Sequence, residues 1–157
     1  MNPVRLLCAL ALLFAATSSE AGAQQDGNFC PLLKRAMEAK PKGFAPLKTT
    51  PFHGETKEWD ARVKLPGLQF CRVDLNLKNY NCWNTGLSRP WLIDAAEQLK
   101  LQIVACIGQP AGPEKTDESD ETSRTIVSWD TSGVKVDLIR RIGKQKTPKN
   151  SVFIYVR

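Results

Sequence analysis

The sequence predicts an α+β fold: a largely antiparallel sheet of about six strands, packed on one face by two helices and held by two disulfides. Three observations carry this. Two blocks of alternating apolar and polar residues, Trp59–Asn84 and Thr125–Arg157, are separated by a long amphipathic stretch from Pro90 to Gly108. A shorter amphipathic stretch, Phe29–Lys40, precedes the first block. Four cysteines follow a segment with the pattern of an export signal.

The N-terminus reads as a signal peptide over residues 1–23. Arg5 supplies the positive start, Leu6–Ala16 an apolar run of 11 residues, and Ala21-Gly22-Ala23 a small-x-small cleavage site. A membrane span needs about 20 apolar residues, so no retained transmembrane helix is expected. Residues 24–157 then form a single α+β domain, periplasmic or secreted, after cleavage near Ala23. Arg5 and Glu20 leave together, so the net charge stays at +6. That charge would draw the protein to anionic partners.

In "NFCPLLKRAMEAK", Asn28 stands at the cap position and Pro31 in the first turn, and Pro41 with Gly43 ends the helix. Cys30, Leu33 and Met37 share its inner face. "WDARVKL" alternates as a strand, with Ala61, Val63 and Leu65 inward, and Pro66-Gly67 turns the chain. "FCRVDLNL" and "YNCWN" complete a three-stranded meander. The second helix has Ser88 to cap it, Pro90 in its first turn and an apolar stripe of Leu92, Ala95, Leu99, Ile103 and Cys106. "QPAGPEKTDESDETS" reads as a loop; its five acids between Glu114 and Glu121 lack the calcium-loop pattern. "TIVSWD", "VKVDLIRRI" and "SVFIYVR" are the last three strands, the first two joined through "TSG". No internal repeat is visible.

Cys8 departs with the signal, leaving Cys30, Cys71, Cys82 and Cys106. Their gaps of 40, 10 and 23 residues contain no close ligand pair, and His53 is the sole histidine, so disulfides are expected rather than a metal or cofactor site. Four cysteines allow three pairings. With Lys78-Asn79 as a two-residue turn, residue 75 lies opposite 82, and Cys71 falls about 13 Å out of register with Cys82. A disulfide needs Cα atoms within about 7 Å. Cys30–Cys71 with Cys82–Cys106 is therefore favoured, and a shifted turn would reverse that preference.

Leu65-Pro66-Gly67 with Cys71, Tyr80 with Cys82, and Cys106-Ile107-Gly108 together resemble small exported bacterial proteins of uncharacterised function. The α-βββ-α-βββ order is also similar to the fold of secretion chaperones, small domains that hold other proteins. The resemblance implies no catalytic residues.

The expected function is that of an exported protein-binding module, either an inhibitor or immunity-type protein or one like a chaperone. Its expected partner is another, acidic, protein of the envelope. Arg140, Arg141, Lys144, Lys146 and Lys149 form a basic hairpin suited to steering such a partner. The alternative is a polymer- or sugar-binding domain using Trp59, Trp83, Trp91 and Trp129. A small hydrolase ranks last: it would depend on His53 or on carboxylates such as Glu58, Asp60 and Asp137. The basic residues form no nucleic-acid-binding module.

Overall fold

The computed structural model describes residues 28–52, 57–145 and 149–157. The signal segment, Cys8, the cleavage site, His53 and Lys146 lie outside them. Helix α1 spans Phe29–Glu38 and buries Phe29, Leu33 and Ala36, a spacing of one helical face. Two 3₁₀ turns, Lys40–Lys42 and Ala45–Leu47, each accommodate a proline in their first two positions, where its missing N–H costs nothing. Strands β1 (Lys48–Pro51), β2 (Glu58–Ala61), β3 (Phe70–Asp74) and β4 (Asn79–Thr85) follow. Helix α2, Arg89–Ile107, buries Leu92, Ala96, Leu99 and Ile103. Strands β5 (Lys115–Glu118), β6 (Thr122–Thr131), β7 (Val134–Gly143) and β8 (Ser151–Val156) complete the chain.

All eight strands join one antiparallel sheet in the order β1-β2-β3-β4-β8-β7-β6-β5. Each half of the chain is a helix followed by a four-stranded meander, and the two meanders meet where β4 pairs with β8. The topology thus repeats although no repeat is legible in the residues. Because successive strand residues point to opposite faces, one face carries Cys71, Val73, Tyr80, Cys82, Val127, Trp129, Val136, Leu138, Val152, Ile154 and Val156. These join the buried residues of both helices in a single core. The helices therefore cover one face of the sheet, as expected.

Several expectations need correction. The sheet has eight strands, not about six. The two unforeseen strands are β1 and β5, and β5 has every residue exposed, so it shows no alternation for a sequence reading to find. The inward stripe of α2 runs through Ala96 rather than Ala95. Asn28 and Ser88 make no side-chain capping bond. Strand β2 stops at Ala61; Val63 and Leu65 are buried beyond it, where the Val63 carbonyl accepts the Tyr80 hydroxyl at 3.1 Å.

The disulfide pairing also differs from the favoured one. The bonds are Cys30–Cys106 and Cys71–Cys82. The turn between β3 and β4 holds four residues, Leu75–Lys78, because Asp74 pairs with Asn79. The Asp74 carboxylate accepts the amides of Asn76 and Leu77 at 2.8 and 2.9 Å, and Lys78 takes a left-handed φ of 48°. That turn brings Cys71 directly opposite Cys82, with Cα atoms 4.0 Å apart. Cys30 and Cys106 instead join the start of α1 to the end of α2.

Candidate functional site

The second face of the sheet carries what the helices do not cover. Its central row is built by register: Phe70 opposes Trp83, Trp83 opposes Phe153, Phe153 opposes Ile139, and Ile139 opposes Ile126. Rings on adjacent strands stand close enough to interact. Phe70 and Trp83 stack with centroids 5.5 Å apart, Trp83 and Phe153 at 6.5 Å, and Phe153 and Tyr155 at 5.9 Å. Phe70 keeps 46% of its surface exposed, and Trp83, Phe153 and Tyr155 are half-buried. A row of this size on the solvent side is more apolar surface than an antiparallel sheet needs there.

Two arginines lie over this row in matching positions. Arg72 on β3 places its guanidinium 3.1 Å from the Phe52 ring centroid and 5.0 Å from that of Trp83. Arg141 on β7 lies 5.4 Å from the centroid of Phe153. Arg72 opposes Asn81, two residues before Trp83; Arg141 opposes Ser151, two residues before Phe153. The register thus relates the two arginines by a local two-fold through the Trp83–Phe153 pair. Cation–π contact holds each guanidinium flat while its outer N–H groups remain able to donate.

Shallow depressions flank the pair, and their charges differ. One, of about 200 Å³, is lined by Glu58, Arg72, Asp74, Asn81, Trp83, Phe153 and Tyr155. Here Arg72 is bonded to Glu58 at 3.2 Å. The other, of about 390 Å³, shares Trp83 and Phe153 and adds Arg141, Lys149, Glu121 and the hydroxyls of Thr85, Thr122 and Ser151. Beside the row, the buried Asp137 carboxylate receives the Arg157 guanidinium at 2.7 Å and the Ser128 hydroxyl at 2.6 Å. These bonds satisfy a carboxylate that burial would otherwise penalise.

The expected basic hairpin is divided by the same alternation. Arg140 and Arg141 are consecutive and so face opposite ways. Arg140 lies on the helix side, bonded to Thr125 at 3.3 Å and near Glu114 at 3.9 Å. Lys144 is engaged by Glu118 at 2.6 Å. That hydrogen bond, with a second from Ser123, holds the Glu118 carboxyl below its ordinary range. Only Arg141 and Lys149 of the described members share a depression with the aromatic row.

The four tryptophans are likewise dispersed. Trp129 is in the core, Trp59 lies beneath Lys48 on the helix side, and Trp91 is exposed on α2. Trp83 alone belongs to the open face. The sequence reading passed over Phe70, Arg72, Phe153 and Tyr155. Their signal was present in "SVFIYV" and "FCRV", strands that carry large residues at both parities. Among the described residues, no three His, Cys, Asp or Glu side chains converge as a metal site would require, and no helix is long and apolar enough to cross a membrane. No family model, curated protein or solved structure matches the chain.

Proposed function

We propose that this is an exported, disulfide-stapled protein-binding module, of the inhibitor or chaperone kind, that grips a partner protein with the open face of its sheet. The supporting observation is the stacked row of Phe70, Trp83, Phe153 and Tyr155 with Arg72 and Arg141 laid over it. Aromatic residues and arginine are the types that dominate binding energy at protein interfaces. The two disulfides are compatible with an oxidising compartment outside the cytoplasm. A sugar platform would need open ring faces. Here the rings turn faces toward one another and toward guanidinium groups, which favours a protein partner.

The test is capture from the native envelope or secreted fraction by immobilised protein. The wild type is compared with the Trp83→Ala/Phe153→Ala double variant. Central aromatic anchors are worth about 2 kcal/mol or more each, roughly a thirtyfold loss of affinity per residue. A partner retained equally by the folded double variant would refute the role of this face.

A further inference from the structure

We infer that the larger depression receives a side-chain carboxylate, Asp or Glu, presented by an exposed loop of the partner protein. This rests on the docking reading above and adds the chemistry of what is recognised. The observation behind it is a cross-strand arginine pair with no carboxylate within 4 Å of either member among the described residues. Arg124 on β6 stands directly opposite Arg141 on β7, both on the open face. Like charges directly opposite on neighbouring strands are unfavourable. Arg72, Arg140, Arg157 and Lys144 each have a carboxylate within 4 Å. Among the described residues, neither Arg124 nor Arg141 has one, and the half-buried Arg124 has a buried Nε without a hydrogen-bond acceptor. Asp117, opposite Arg124 on β5, forms no ion pair with it.

The lining selects the class of anion. Among the described residues that line this depression, Arg141 and Lys149 set against Glu121 leave a single positive charge; Arg124 stands beside Arg141 on the next strand, outside the lining. One carboxylate neutralises it, whereas a phosphate dianion or a polyanion would leave excess negative charge beside Glu121. A guanidinium presents a planar fork of donors that matches a carboxylate. Trp83 and Phe153 wall the site with apolar surface, where a charge-assisted bond gains strength as water is excluded. On the other side of those two rings, among the described lining residues, Arg72 set against Glu58 and Asp74 leaves a single negative charge. The face is therefore polar along one direction, which would fix the orientation of a loop that carries an acid at one end.

The probe is a displayed library of short disulfide-closed loops selected against the intact protein. Loops dependent on Trp83 and Phe153 are expected to carry Asp or Glu at one position. Replacing that acid with its amide should weaken binding at least tenfold. The Arg141→Glu/Lys149→Glu variant should select Lys or Arg there instead, and Arg124→Gln should weaken acid-bearing loops without changing the preference. Near-ultraviolet circular dichroism confirms that each variant is folded. Loops that need Trp83 and Phe153 but carry no acid would overturn the carboxylate and leave the docking face standing. Failure to select any loop sensitive to Trp83→Ala/Phe153→Ala would overturn both.

Discussion

Replacing the two disulfides separately should cost unequal amounts, and the inequality follows from chain length alone. Cys30–Cys106 spans a sequence separation of 76 and Cys71–Cys82 one of 11. Closing these loops restricts the unfolded chain by about 4.5 and about 2.8 kcal/mol in the chain-entropy treatment. With the 130 residues from Asn28 to Arg157 at about 2.1 cal/mol/K each, the expected drops in Tm are about 16 °C and about 10 °C. The assays are calorimetry and urea unfolding of Cys30→Ser/Cys106→Ser and Cys71→Ala/Cys82→Ala. A thiol titration in denaturant accompanies them. In protein expressed without residues 1–23, and so without Cys8, each double variant should contain no free thiol, because each removes one complete bond. Either of the other two pairings would leave two unpaired thiols in each variant, so a positive titration refutes the connectivity. Equal destabilisation, or a larger loss from the shorter loop, refutes the entropic reasoning.

Burial pushes the Tyr80 phenol well above its ordinary value. A raised folded pKa contributes stability that is whole below the unfolded value of about 10 and is lost as pH climbs beyond it. Tyr80→Phe should therefore be about 1 kcal/mol less stable at pH 7, for want of the bond to Val63, yet flatten the alkaline decline in urea titrations between pH 9 and 12. Equal alkaline slopes would contradict the burial argument. The β6–β7 hairpin turns on Ser132 and Gly133, both at positive φ of 50° and 75°. Gly133→Ala meets no atom within 4 Å, so its cost should be the backbone strain alone, about 1–2 kcal/mol by urea unfolding. Arg157→Ala removes the bond to the buried Asp137, while the exposed guanidinium tempers the loss to about 1–2 kcal/mol, read by the same titration.

The legible parts of the fold were those whose side chains repeat with a period. Helix α2 was visible because Leu92, Leu99 and Ile103 recur on one face, and β7 because Val134, Val136 and Leu138 alternate with polar neighbours. Strands β1 and β5 lie at the two edges of the sheet, where pairing uses the backbone on one side and asks little of the side chains. "KTDE" reads as a loop because its composition is that of one. The disulfides failed for a different reason. The register of β3 on β4 was set by a local event, the Asp74 side chain closing a four-residue turn centred two residues earlier than the expected one, which moves every partner on the other strand by four. Cys71 and Cys82 were placed on the correct face and at the wrong height.

The candidate site was hidden because it is assembled across strands. Charge clustering along the chain pointed to Arg140, Arg141, Lys144 and Lys149, but neighbours in sequence on a strand are divided between faces. Arg72 and Arg141 are 69 positions apart and yet occupy equivalent places over one pair of rings. The sulfur bonds bear on this arrangement from behind. Cys71–Cys82 joins β3 to β4 on the helix side, in the row next to Phe70–Trp83 and between Phe70 and Arg72 along β3. It fixes the separation of the two strands that carry Phe70, Arg72 and Trp83, while Cys30–Cys106 holds the two covering helices together. A surface held this way would lose little freedom if a partner docked on it, so more of the contact energy would be expressed as affinity. The cysteines thus connect the two levels: they fasten the fold on its covered side and stiffen the side left open.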